Sequence, residues 1–262
     1  MDVKLIIDNP VVSKQVFFPR KTNTPLNLDS TIKVLKFPID KKIVIGGLLY
    51  LKDINVPTVL LFHGNGEVAL DYQFAAPLYF KCDVNLAVID YRGYGFSSGE
   101  PYFTSLIFDA MPIYNNFKNW AEKFGLLDSI FIQGRSLGSV CAAEIGAQNP
   151  ELIKGIIIES GFASLYNMMT KIFRIESHIL TPSSLASYSN DIRARKFSKP
   201  TLIIHGVEDY IIPSSEGVLL YNNLPENIEK KLVLIEGVGH NTISMQHKEY
   251  FDSLYRFIST FK

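Results

Sequence analysis

The hydrophobic rhythm of the chain changes after its first fifty residues. Before that point two stretches, Thr31–Phe37 and Lys42–Leu51, carry alternating or β-branched apolar positions. That is the period of half-buried strands, and it predicts a leading hairpin or meander. Afterwards short continuous apolar runs recur: Pro57–Phe62 (PTVLLF), Asn85–Ile89 (NLAVI), Ser129–Ile132 (SIFI), Lys154–Ile158 (KGIII), Thr201–Ile204 (TLII) and Lys231–Ile235 (KLVLI). Runs of this length, bounded by Gly, Pro, Asp or Asn, suit strands buried on both faces. Helical patterns lie between them. Asp109–Phe124 places Ile113, Phe117, Trp120, Ala121 and Phe124 at helical spacing, Ser136–Gln148 follows the third run, and His247–Phe261 closes the chain with one apolar face. Strands alternating with helices predict an α/β fold, a mostly parallel sheet with helices on both faces. In such sheets reactive groups gather at the carboxyl ends of strands, and the polar motifs of this chain fall there.

Composition changes this picture little. With 262 residues, 47% hydrophobic and 20% charged, the chain has the make-up of an ordinary globular domain, and residues 1–262 are read as one. Lys plus Arg equals Asp plus Glu at 26 each, which gives no electrostatic case for nucleic acid. Two cysteines, Cys82 and Cys141, are too few for a disulfide framework. The opening MDVKLIIDNP lacks the basic start and apolar run of a signal peptide, and no uncharged apolar stretch is long enough to span a membrane. A cytoplasmic location without an integral membrane span is expected.

The pattern G-x-S-x-G occurs twice, at Gly95–Gly99 and Gly134–Gly138. By composition a chance hit arises in roughly one chain in ten of this length, so context must decide. A nucleophile elbow needs a strand, a sharp turn and then a helix, so that the serine hydroxyl projects from the sheet edge. Gly134 follows DSIFIQ and Ser136 is followed by LGSVCAAEIGAQ, whereas Gly99 runs into Glu100-Pro101, which favours extended or turn backbone. Ser136 is the expected nucleophile and Ser97 a loop serine.

A serine nucleophile needs a base, and the base an orienting acid. Of the histidines at 63, 178, 205, 240 and 247, His240 stands in a glycine-containing loop straight after the last apolar run. His63 follows a strand directly and reads as a buried structural residue; His247 opens the last helix. For the acid, Asp209 follows the penultimate run, with Glu208 and Glu159 as alternatives. The resulting order is Ser136, Asp209, His240. The amide of Leu137, at a helix N-terminus, is one expected oxyanion donor. The turn His63-Gly64-Asn65-Gly66 supplies the second, through the Asn65 N–H or failing that Gly66. No metal-spaced His/Cys/carboxylate cluster, P-loop or dinucleotide-binding glycine loop is present, so neither metal nor cofactor is expected.

LLFHGNG, DYRGYGFSSGEP, GRSLGS, IIIESGFAS, LIIHGVEDYIIP and GVGHN together resemble the α/β-hydrolase superfamily over about residues 40–260. The likeness is to the small-lid serine hydrolases that include protein-depalmitoylating thioesterases and lysophospholipid or monoacylglycerol hydrolases. It implies an eight-stranded, mostly parallel sheet with the second strand antiparallel. It also implies that Asp90, Arg92, Gly93 and Gly95 form a structural loop. Ser136 at the elbow, where Asp stands in epoxide hydrolases and haloalkane dehalogenases, argues against those relatives. Such folds insert a lid where the strand rhythm lapses here, about residues 161–198. Phe162, Met168 and Met169 are candidates for an acyl-chain pocket, because ligand sites are mostly apolar, although a helix packed on the sheet would leave the same pattern. The expected activity is hydrolysis of an acyl ester or thioester through an acyl-enzyme. A peptidase using the same residues, and a non-catalytic binding protein on the same fold, remain as other readings. Oligomeric state is not legible.

Overall fold

The structure, a computed structural model, describes residues 2–26, 28–243 and 248–262. Eight strands form a single sheet: β1 (Ile32–Pro38), β2 (Val44–Tyr50), β3 (Thr58–Phe62), β4 (Asn85–Ile89), β5 (Ile130–Arg135), β6 (Ile153–Glu159), β7 (Thr201–Gly206) and β8 (Lys230–Ile235). Their spatial order is β1-β2-β4-β3-β5-β6-β7-β8. β2 runs antiparallel to both β1 and β4, and every other pairing is parallel. This is the α/β-hydrolase sheet that the motifs imply, with the leading hairpin in place.

The continuous apolar runs have a physical cause. Successive residues of a strand point to opposite faces, and here both faces are covered. Leu60, Ala87, Ile132 and Ile156 join one hydrophobic cluster, while Leu61, Val88, Phe131 and Ile157 join the other. On the first face lie α3 (Phe103–Phe124), α4 (Ser139–Gln148) and α5 (Ser214–Asn223). On the second lie α2 (Ala76–Lys81) and α6 (Lys248–Phe261). α6 buries Tyr250, Leu254, Phe257 and Ile258, each large apolar side chain contributing about 1.5–3 kcal/mol. His247, placed at the start of this helix by its sequence pattern, lies outside the described residues.

Ahead of the hairpin a short helix, α1 (Pro10–Val16), packs Val16 and Phe17 against the first face. It is capped by Asn9, whose side chain accepts from the Val11 amide at 2.9 Å. Between β6 and β7 the chain leaves the sheet in short turns: Leu165–Asn167, Met168–Ile172, Pro182–Leu185, Ala186–Tyr188 and Asn190–Ala194. The foot of this excursion is fixed by buried polar contacts. Glu216 of α5 accepts the amides of Ala163 and Ser164 at 3.0 and 2.9 Å, and Asn190 donates to the Phe162 carbonyl at 2.9 Å. No helix among the described residues is long and apolar enough to cross a membrane.

Candidate active site

The elbow is built by close packing. β5 extends past the apolar run to Arg135, and the chain then reverses into a 3₁₀ turn, Ser136–Gly138, that leads into α4. Ser136 sits at φ +51°, in the left-handed region that L-residues seldom enter. A Cβ at Gly134 would come within 2.6–2.7 Å of Gly138, Ser139 and Ala142, and one at Gly138 would strike the Phe62 carbonyl. Both flanking glycines are therefore required by contact. The second G-x-S-x-G copy has no such turn: Ser97 is buried, accepts from the Gly46 amide at 2.7 Å and donates to the Asp90 carbonyl at 3.0 Å. In the same loop Arg92 forks onto Asp109 of α3 with both distances 2.6 Å. This stretch holds structure together and stands off the site.

Ser136, His240 and Asp209 meet. His240 Nε2 lies 2.9 Å from Ser136 Oγ, and His240 Nδ1 lies 2.7 Å from Asp209 Oδ2. All three are buried. Asp209 also accepts the Ile211 and Ile212 amides at 3.0 and 2.8 Å, with His205 Nε2 at 3.3 Å. Burial alone would push this carboxyl up. The His205 and His240 hydrogen bonds, the His240 charge and the Ile212 amide outweigh burial and hold it well below the ordinary carboxylate range. An ionised Asp209 can only accept, so Nδ1 carries the proton and the Nε2 lone pair faces the Ser136 hydroxyl. The alternative acids are engaged elsewhere. Glu208 accepts the Val238 amide at 2.9 Å, and Glu159 accepts from Tyr250 and Gln133 at 2.7 and 2.9 Å. His63 is buried between Tyr91 and Tyr94, with Nδ1 donating to the Gly64 carbonyl at 2.8 Å. His205 is buried with Nε2 at 2.9 Å from the Ile212 carbonyl, and His178 is exposed.

A cavity of about 530 Å³ opens over these groups, within the range of small-molecule sites. Leu137 and Asn65 both line it beside Ser136. Leu137 is the second residue of its turn, where helical geometry leaves the amide unpaired. The Asn65 amide has no hydrogen-bond partner among the described residues. The Asn65 side chain is a fixed strut: it donates to the Val16 carbonyl at 2.7 Å and accepts from Tyr94 and the Phe18 amide at 2.6 and 3.0 Å. Gly66 is not on the cavity wall; its carbonyl accepts from Arg20 at 3.1 Å. Of the candidate pocket residues, Met168 lines the cavity with Ile172 and Phe173. Phe162 and Met169 do not. Both have no exposed surface and pack in the core, whereas Met168, also largely buried in that core, keeps one edge on the cavity.

The sequence patterns gave no notice of three contributors. Gln15 and Phe18, in and just after α1, form part of the cavity wall. Arg135, the variable position of the elbow motif, is 6% exposed and joins several segments. Its guanidinium donates to Glu67 at 2.8 Å, to Glu159 at 3.0 Å and to the His240 carbonyl at 3.1 Å, with Asn241 Oδ1 at 3.5 Å. Glu67 in turn accepts the Gly64 amide at 2.9 Å and the Tyr72 hydroxyl at 2.7 Å. Burial would raise the Glu67 carboxyl; Arg135, His63 and these donors reverse that and hold it ionised below its usual range. One buried cation thus ties the loop after β3 to the loop carrying His240. Arg135 and Glu159 are register partners on β5 and β6, which is the one signal that links them.

No group of three or more His, Cys, Asp or Glu among the described residues is placed to hold a metal ion. Comparison with known proteins fits this geometry to a family. Protein bem46 of Schizosaccharomyces pombe is 29% identical over 187 residues, 71% of this chain and 62% of that protein. Alpha/beta hydrolase domain-containing protein 17C of Xenopus tropicalis is 28% identical over 209 residues, 77% of this chain and 61% of that protein. The chain therefore matches somewhat under two thirds of the length of these relatives. Among solved structures, the Pyrococcus furiosus esterase Pf2001 superposes with a TM-score of 0.72 at 17% identity, covering 93% of this chain and 98% of its own. The family model described as "Serine aminopeptidase, S33" matches residues 55–189, and the chain belongs to that family, within the α/β-hydrolase superfamily.

Proposed function

We propose that this protein is a serine hydrolase that cleaves carboxylic esters or thioesters through an acyl-enzyme, with Ser136, Asp209 and His240 as its triad. The observation that carries this reading is the unbroken chain from Ser136 Oγ to His240 to Asp209, at 2.9 and 2.7 Å. His240 Nε2 takes the hydroxyl proton as Ser136 Oγ attacks the substrate carbonyl. Asp209 stabilises the imidazolium and holds its orientation without taking the proton. The Leu137 and Asn65 amides receive the oxyanion, and each such donor is worth about 2.7–4 kcal/mol in the transition state. His240 then protonates the leaving group and deprotonates the water that releases the acid. The strained Ser136 backbone fits a residue whose conformation serves chemistry more than stability.

The family description favours a second reading, an aminopeptidase. The charges of the cavity weigh against it. A peptide amine needs a carboxylate partner, and Glu67 is the carboxylate on the wall among the described residues. Its oxygens are taken by Arg135, Gly64 and Tyr72. The wall is otherwise largely apolar, with Phe18, Met168, Ile172, Phe173, Ile211 and Ile212, which suits an acyl chain. On this reading residues 161–198 are a lid within a single domain, and the substrate is a small acyl compound.

The test is hydrolysis of p-nitrophenyl esters from two to sixteen carbons alongside acyl thioesters and aminoacyl p-nitroanilides. Ester or thioester turnover that vanishes in Ser136→Ala is expected. Turnover confined to the anilides would establish the aminopeptidase instead. A folded protein that turns over nothing and resists a fluorophosphonate probe would be a binding protein.

A further inference from the structure

Most charged groups around the cavity are already neutralised, and the one that is not has a place on its wall. Arg135 is held between Glu67 and Glu159. Arg174 also lines the cavity, is exposed, and forms no ion pair among the described residues. It follows the Met168–Ile172 turn and Phe173, so it stands at the end of the apolar wall. Its backbone is left-handed, φ +53°, at a helix-end position where Gly or Asn is the usual occupant. Neighbouring contacts impose that conformation. Gln15 of α1 donates to the Phe173 carbonyl at 2.6 Å, and the Ile175 amide donates to the Met169 carbonyl at 2.8 Å. The groups on either side of Arg174 are thus fixed, and Arg174 itself is on the cavity wall with no ion-pair partner among the described residues.

We infer that Arg174 is an anion-binding subsite of this cavity and that the substrate is an acyl compound carrying a carboxylate or phosphate away from its reacting carbonyl. The inference deepens the hydrolase reading and rests on it for the word substrate, but the subsite itself is testable without turnover. A planar guanidinium suits either oxyanion by paired N–H donation. With Glu67 consumed, the cavity has an uncompensated positive charge and no uncompensated negative one among its described lining residues.

The experiment is titration of the protein with octyl phosphate, octanoate and 1-octanol, which share a chain and differ in the head. At least one anion is expected to bind about tenfold or more tightly than octanol, which corresponds to about 1.4 kcal/mol, and the one that does identifies the group. Arg174→Gln should bring that ratio within about twofold. Lys171→Gln, which removes an exposed cation from the same segment but not from the cavity wall, should preserve it. Equal affinity for all three ligands overturns the inference. So does a preference that survives Arg174→Gln, which would put the anion against the Leu137 and Asn65 amides, or one lost equally in Lys171→Gln, which would make it diffuse charge attraction. Neutral p-nitrophenyl esters test the hydrolase reading separately, so either idea can fail while the other stands.

Discussion

Replacing Arg135 with methionine removes a buried cation and keeps much of its volume. Two carboxylates then lose their counter-charge. Taking one partner from a buried ion pair usually costs about 3–5 kcal/mol, and the surroundings decide where in that range this case falls. Glu159, 1% exposed, keeps donors from Gln133 and Tyr250. Glu67 has a side chain 26% exposed and keeps the Gly64 amide and the Tyr72 hydroxyl. Neither carboxylate is left bare, so the lower end applies, about 3 kcal/mol. For a chain of this size that is a fall in Tm of about 6–12 °C. The His240 carbonyl also loses its 3.1 Å anchor, and Glu67, which holds the Gly64 turn, loses its tie to Arg135, so kcat should fall about 10- to 100-fold, about 1.4–2.7 kcal/mol, with KM changing less. Calorimetry and ester kinetics on Arg135→Met, Arg135→Lys and Arg135→Met with Glu159→Gln separate the two effects. The lysine keeps the charge but cannot fork, and should recover part of each loss. The double variant neutralises the buried carboxylate and should recover stability but not kcat. A single variant within about 2 °C and twofold in kcat would refute the reasoning. Full recovery of kcat in the double variant would reduce Arg135 to a stability role.

Asp209→Asn should lower kcat by about ten-thousand-fold, by analogy with the corresponding change in a serine protease; steady-state kinetics would show it, and equal damage from Glu159→Gln would move the acid assignment. The same variant makes a pH prediction. The folded Asp209 carboxyl lies well below its unfolded value of about 3.9. Its contribution to stability is complete above that value and is lost as pH falls through the depressed one. The wild-type advantage over Asp209→Asn in urea melts should therefore hold at neutral pH and shrink below about pH 4. Met168→Trp, which adds bulk on the cavity wall at a residue also packed in the core, should shift the p-nitrophenyl ester optimum to shorter chains at a cost in stability of about 1–3 kcal/mol. Phe162→Ala should instead cost about 3–5 kcal/mol and leave the chain-length profile unchanged, since Phe162 is core.

The residues proposed as the triad were legible as a group because the fold leaves them little choice of place. Ser136 directly follows β5, Asp209 lies three residues after β7, and His240 lies in the loop after β8. Buried parallel strands announce themselves as unbroken apolar runs, so the polar residue after each run is already a site candidate. The elbow motif, ambiguous by itself, was resolved by the helix that follows it. What stayed hidden did so for identifiable reasons. α1 spans only Pro10–Val16, too short for a periodic signal, although Asn9 before Pro10 is a helix-start signature. Arg135 bears no mark in the motif. Its role needs the strand order, which brings its register partner Glu159 alongside, and the rule that a buried cation must be paired. Met168 and Met169 are adjacent and equally apolar in sequence; both are core, and only the packing around them shows that Met168 also reaches the cavity wall.

These reasons divide the site into two parts with different origins. The groups proposed to perform chemistry stand at or shortly after strand ends, where such sheets place reactive groups. The other part of the cavity wall comes from α1 and its following residues and from the excursion between β6 and β7, which the sheet does not dictate: Gln15, Phe18, Met168, Ile172, Phe173 and Arg174. A shared fold therefore carries the hydrolytic machinery between esterases and aminopeptidases without carrying the substrate. In this chain the contest between those two substrates turns on charge. A free carboxylate in the cavity would receive an amine, and Glu67 is denied that role by Arg135. The same ion pair that ties the Gly64 turn to the His240 loop thus also favours the ester reading proposed above, because it leaves Glu67 no free oxygen for an amine. It leaves Arg174 as the uncompensated charge on the described wall.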